Sequence, residues 1–222
     1  MKMSNELQYY KNEYSKFWEK QTKIYGYGRY EQYLVKIIAQ SSPKKVFEVG
    51  IGTGWPIGVS LKNLGVEVDG CDIADSLVCL ARENLDNEKG IYVGDVMEYD
   101  GNTSYDVTYC VRVSWYIPDF YSTIQKMISM TKPGGYVVFD FMNKNSFYCF
   151  NFKLMELRDK YYRLLGIDMD ERHGLHFISV PKIKKFLAQN RMSYQCIGER
   201  VITNSKDWFH TPKIVFLCRK EG

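Results

Sequence analysis

The stretch VFEVGIGTGWP, residues 46–56, carries three glycines at alternate positions directly after a short apolar run. Glycines at that spacing let the backbone turn tightly and approach a ligand with no side chain in between. A dinucleotide-binding turn follows G-x-G-x-x-G, its third glycine letting a helix pack closely on the strand. Here Trp55 stands at that third position. A phosphate-cradling loop needs G-x-x-x-x-G-K-[ST], and no Lys-Ser or Lys-Thr follows these glycines. Two acids narrow the choice further. Asp72 ends the next apolar run and Asp95 the one after, and strand ends on one edge of a parallel sheet converge on one crevice. A carboxylate at Asp72 suits two vicinal ribose hydroxyls, and one at Asp95 suits an exocyclic amine such as that of adenine. The set describes a site for an adenosine-bearing ligand with no demand for phosphate.

Side chains for chemistry beyond binding are few. Tyr116 offers a hydrogen-bonding hydroxyl or, equally, an amphipathic ring at a helix start. Arg112 suits an acidic ligand group or a protein carboxylate. His173 and His176, in DERHGLHFI, and His210 are the only histidines, and a histidine near neutral pKa is the natural base for a hydroxyl or amine. The acids beside them, Asp168, Asp170 and Glu171, show no metal-ligand spacing, so no metal is expected.

The elements that must position these residues can be read from periodicity. Tyr30, Tyr33, Leu34, Ile37 and Ile38 mark one face of a helix from Arg29 to Gln40. KKVFEVG reads as a buried strand, and a helix follows the glycines to about Asn63. LGVEVDGCD and GIYVGD are second and third strands, separated by a helix that Asp75 is placed to cap. YDVTYCVRV is a fourth strand, Asp119 caps the next helix, and KPGG turns into YVVFDFM. Strand and helix in alternation imply parallel strands with helices on both faces. The rhythm then breaks over residues 143–178, an aromatic-rich insertion with one helix stopping at Gly166. It resumes with a helix from Pro181 to Gln189 and two strands, YQCIGERVI and KIVFLCR.

With 222 residues and 45% hydrophobic content the chain suits one well-buried domain, its first 40 residues a helical lead-in. Thirty basic against 26 acidic residues are spread without a block, so a nucleic-acid partner is not expected. Six cysteines without a CxxC pair read as reduced core thiols. The first 20 residues have no apolar core and no run reaches membrane-spanning length, so a cytoplasmic protein without membrane contact is expected.

The sequence over roughly Lys45–Met142 resembles the class I S-adenosylmethionine-dependent methyltransferases. VFEVGIGTG looks like the family's E/D-x-G-x-G-x-G signature, and GCDIADSLVCLAREN matches its second strand and acid. VGDV is similar to the adenine-side motif, YDVTYCVRVSWYIPD to the fourth-strand motif, and KPGGYVVFDF to the turn into strand five. The resemblance implies an α/β fold: a Rossmann-like, doubly wound seven-stranded sheet, mostly parallel with a C-terminal antiparallel strand. It places Gly50, Gly52 and Gly54 under the methionine part of S-adenosylmethionine, with Glu48 supporting that loop. Asp72 would hold the ribose, Ile73 pack on the adenine, Asp95 with Val96 read its edge, and Cys110 line the methionine side. S-adenosylhomocysteine would be the product. Trp115 and Tyr116 replace a histidine pair frequent in the family, which leaves Tyr116, His173 and His176 as candidate catalytic groups.

The Asn/Asp-Pro-Pro-aromatic string of nucleic-acid amino-methyltransferases is absent, and no Pro-Cys offers a nucleophile for pyrimidine carbon. The expectation is methyl transfer to O or N of a small-molecule acceptor by a monomer or homodimer, with residues 143–178 as an acceptor-binding lid. A non-catalytic S-adenosylmethionine-binding protein is the alternative, and a nucleotide-dependent oxidoreductase is disfavoured by Trp55.

Overall fold

The computed structural model describes residues 27–101, 104–166, 175–204 and 213–221, together with Gln8, Tyr9, Lys11, Asn12 and Lys16. From residue 27 onward the elements are α1 (Arg29–Ala39), β1 (Lys45–Val49), α2 (Ile57–Asn63), β2 (Glu67–Asp72), α3 (Asp75–Leu85), β3 (Ile91–Val93) and β4 (Tyr105–Cys110). After them come α4 (Phe120–Met130), β5 (Thr131–Asn143), α5 (Phe147–Leu164), β6 (Phe177–Ile178), α6 (Val180–Gln189), β7 (Met192–Gly198), α7 (Glu199–Thr203) and β8 (Lys213–Lys220).

One sheet runs β3-β2-β1-β4-β5-β8-β7, with the two-residue β6 added beside the end of β5. The pairs from β3 to β5 are parallel, and β8 alone runs antiparallel, to both β5 and β7. The expected seven strands and the late antiparallel strand are therefore present, and β6 is an eighth. In register, Val49 lies beside Cys71 and Asp72 beside Val93, so β1, β2 and β3 end along one edge. Chain order reverses between β1 and β4, and such a switch point leaves a crevice at the carboxyl ends of the strands.

The sheet is buried on both faces, as alternation within β5 shows. Val138 joins Leu34 and Ile38 of α1, Leu61 of α2 and Val78 of α3. Its neighbours Val137, Phe139 and Phe141 join Ile124 and Met127 of α4 and Ile183 and Leu187 of α6. Phe139 lies nearly parallel to Phe216 of β8, ring centres 5.5 Å apart, which fastens the antiparallel strand to the parallel ones.

Three local readings need correction. Asp75 is the first residue of α3, not its cap, and the capping position is Ala74. The strand expected through YQCIGERVI ends at Gly198, and Glu199–Thr203 turn into the short α7. Of the six cysteines Cys71, Cys110, Cys149 and Cys218 are buried, whereas Cys79 and Cys196 are exposed. Within residues 143–178, α5 follows β5, and β6 pairs parallel with β5 at Met142–Phe177 and Asn143–Ile178.

Candidate cofactor and acceptor site

A cleft opens at the switch point, and the glycine turn forms its floor. The three glycines have different tasks. A Cβ added at Gly50 would fall 2.7 Å from Val113 Cγ1, so this glycine lets the β4 side of the wall close in. Gly52 has φ +56°, and its missing Cβ would meet nothing within 4 Å, because that space belongs to the cleft it lines. Gly54 has φ +74° and lies outside the cleft lining; a Cβ there would press on Leu85 Cδ1 at 3.1 Å. Gly54 thus makes room for the end of α3, where Ala81 and Leu85 pack against the turn.

Asp72 sits where β2 ends and lines the cleft. Its Oδ2 accepts a hydrogen bond from the Gly52 amide at 2.9 Å and its Oδ1 one from the Ala74 amide at 3.0 Å. Burial raises its pKa, and these backbone donors pull it back. The carboxylate therefore fixes the glycine turn and the start of α3. Ile73 and Val96 also line the cleft, as does the exposed Asp95. Asp95 has a structural task as well, since its Oδ1 accepts from the Met97 amide at 2.9 Å.

Glu48, 5% exposed, lies under the turn and also borders the cleft. Tyr109 donates to its Oε2 at 2.9 Å. Burial pushes its pKa up to about 8; the Tyr109 bond and Arg112 lower it, and the neighbouring Asp72 adds to the rise.

The structure takes Cys110 out of the site. It is the last residue of β4, wholly buried, and absent from the cleft lining, while Val111, Arg112 and Val113 form that wall. The strand ends three residues earlier than the run YDVTYCVRV suggests, and its last side chain faces the core.

Of the candidate catalytic groups, Tyr116 lines the cleft, its ring edge-on to Trp115. His176 does not; it is half-buried, and its amide donates to the Trp115 carbonyl at 2.9 Å. His173 and His210 fall outside the described residues. None of the described residues of the 143–178 segment lines the cleft.

A buried polar network, unexpected from the sequence, supports the far wall. Asp140 of β5 is wholly buried; its Oδ2 accepts from the Tyr30 hydroxyl at 2.6 Å and its Oδ1 from the Arg112 amide at 2.8 Å. The latter bond holds Arg112 at φ +65°, a conformation that strains a side-chain-bearing residue. The Arg112 guanidinium pairs with Glu31 of α1 at 3.3 Å, which is the protein-carboxylate role for this arginine. Lys213 of β8 lies 5.0 Å from the ring centres of both Tyr30 and Trp115 and 3.5 Å from Glu199. Tyr30 is thereby a core residue tying α1 to the sheet, and Tyr27 stays on the surface. Among the described residues no group of three or more His, Cys, Asp or Glu side chains could hold a metal ion.

A doubly wound sheet with an acid-tied glycine turn at its switch point defines a protein that binds an adenosine-containing ligand. Residues 47–139 match a family described as "Methyltransferase domain". The chain is 27% identical over 159 residues to malonyl-[acyl-carrier protein] O-methyltransferase of Halalkalibacterium halodurans, a match covering 67% of this chain and 56% of that protein. It is 31% identical over 123 residues to ubiquinone biosynthesis O-methyltransferase of Shewanella halifaxensis, covering 51% and 50%. The chain thus spans about half the length of the curated relatives it matches. Among solved structures it resembles magnesium protoporphyrin IX methyltransferase of Synechocystis PCC 6803 with bound S-adenosylhomocysteine, with TM-score 0.69, 15% identity, and coverage of 96% and 97%. Residues 47–139 thus match a methyltransferase family, and the chain shares its fold with methyltransferases of solved structure.

Proposed function

We propose that this chain moves the methyl group of S-adenosylmethionine to an oxygen or nitrogen of a small-molecule acceptor. The observation that carries the reading is Asp72: a carboxylate that lines the cleft at the end of β2, is tied to the Gly52 amide, and is placed to accept from ribose hydroxyls. The open space over Gly52 takes the methionine portion, and Ile73 and Val96 take the adenine. Asp95 receives the adenine amine on its remaining oxygen.

When bound, the cofactor supplies a methyl group already activated on a sulfonium. The acceptor lone pair forms a bond to the methyl carbon while the carbon–sulfur bond breaks. Its electron pair goes to sulfur, leaving S-adenosylhomocysteine. A proton on the acceptor atom leaves to a base or to water. The protein's contribution is orientation, which in the best intramolecular cases is worth about 7–11 kcal/mol. Of the two candidate groups the structure describes, Tyr116 lines the cleft and is assigned to hydrogen-bond the acceptor. Val113 and the Arg112–Glu31 pair shape the wall beside it.

Incubation with methyl-labelled cofactor and a panel of phenols, amines, hydroxy acids and quinols tests the reading. Label is expected in a low-molecular-weight acceptor, and Tyr116→Phe is expected to lower kcat without abolishing cofactor binding. Cofactor binding with no label transferred to any acceptor would favour a non-catalytic binding protein instead.

A further inference from the structure

We propose that the outer face of α5 docks on an anionic lipid bilayer. Phe150, Leu154, Leu157, Tyr161 and Leu164 recur at alternating spacings of four and three residues and so form one stripe along the helix. They are 57%, 48%, 62%, 59% and 86% exposed. Exposure of five large apolar side chains in a row is uncommon on a surface that faces only water. The opposite face holds the helix to the body: Cys149 is buried, and the Phe152 ring lies 5.5 Å from that of Phe177 on β6. The stripe therefore points outward along about 21 Å of helix, at 1.5 Å per residue.

The charge around the stripe decides what it fits. On the helical wheel Lys153 and Lys160 border one side and Arg158 the other, with Lys144 exposed just before the helix and Arg163 exposed near its end. Of the acids of α5, Glu156 is half-buried, and Asp159, 1% exposed, pairs with Arg158 at 2.9 Å, so the outward positive charge beside the stripe rests on Lys153 and Lys160. A second copy packed through this stripe would set Lys153 and Lys160 against themselves or against Arg158, a like-charge arrangement. An apolar ridge bordered by Lys153 and Lys160 instead matches a helix lying in a bilayer interface, its lysines reaching lipid phosphates.

None of the described helices is long and apolar enough to cross a membrane, and a surface-lying helix needs no spanning segment. The inference thus departs from the sequence expectation of no membrane contact, and it does not depend on the acceptor. Because α5 leaves the carboxyl end of β5, the dock lies at the sheet edge on which the cleft opens.

Co-sedimentation of the full chain with phosphatidylcholine vesicles, with and without about 30 mol% phosphatidylglycerol, tests the dock. Binding is expected to be about tenfold stronger to the anionic vesicles and to weaken between roughly 0.1 M and 0.5 M salt. Leu154→Asp with Leu157→Asp is expected to abolish it, and Lys153→Glu with Lys160→Glu to weaken it at least about tenfold. Unchanged melting temperatures would show that both variants fold. No binding to anionic vesicles, or equal binding by wild type and both variants, would overturn the proposal. So would a wild-type dimer by light scattering that Leu157→Asp dissociates, which would assign the stripe to a second copy.

Discussion

Replacing Glu48 by glutamine should change how stability depends on pH. The folded protein holds the Glu48 proton up to a pKa of about 8, against an ordinary value of 4.5, because the carboxyl is buried under the glycine turn. Between those values the unfolded chain has released a proton that the native protein still binds. Native stability therefore falls as pH rises through that window, by about 1.4 kcal/mol per pH unit from this group, and levels off above about pH 8. The amide introduced by Glu48→Gln would keep the shape and an oxygen acceptor for the Tyr109 hydroxyl, which now donates to Glu48 at 2.9 Å, but has no proton to lose. The other raised acids, Asp72 and Asp140, are present in both proteins, so their contributions cancel in the difference. From pH 5.5 to 7.5 the variant should gain about 3 kcal/mol relative to wild type. Urea unfolding of both proteins at three pH values in that range reads this directly; in thermal melts the shift is about 2–4 °C per kcal/mol. A difference that stays constant with pH would mean that Glu48 is ionised in the native cleft, and the account of its environment would be wrong.

The glycines should separate into ligand and packing roles. Gly52→Ala, with open space at its Cβ, should cost only about 1–2 kcal/mol of stability for its left-handed backbone yet weaken S-adenosylhomocysteine binding at least tenfold. Gly54→Ala meets Leu85 and should lose more stability than Gly52→Ala; paired calorimetric titrations and urea melts would expose the reverse pattern. Tyr30→Phe removes the hydroxyl donated to the buried Asp140 and should destabilise by about 1–3 kcal/mol. A loss below about 0.5 kcal/mol in urea unfolding would show that the pair does not hold α1 to the sheet.

The parts of the site that could be read from sequence are those set by local chemistry. The glycine turn, Asp72 and Asp95 each punctuate an apolar run, and the alternation of strand and helix requires those punctuation points to share one edge. Cys110 does end β4, but an apolar run does not show which face its last residue takes, and one residue decides between core and cleft. Glu199–Thr203 form a helix in a segment whose apolar residues also fit a strand. The network of Tyr30, Glu31, Arg112, Asp140, Glu199 and Lys213 joins five distant segments that no spacing connects. One signal did exist: Asp140 interrupts the apolar run YVVFDFM, and an acid inside a central strand persists only where donors meet it. The outward stripe of α5 is visible in the sequence as a period, but only the buried opposite face shows that it points to solvent.

The central claim is that this cleft holds S-adenosylmethionine through Asp72 and the glycine turn. Isothermal titration of S-adenosylhomocysteine into wild type and Asp72→Ala tests it most directly, with circular dichroism confirming that both are folded. The account predicts one-to-one binding to wild type and at least a hundredfold loss, about 3 kcal/mol, in the variant, in line with losing charge-assisted hydrogen bonds to both ribose hydroxyls. Equal affinity in the two folded proteins, or no binding to wild type, would contradict it.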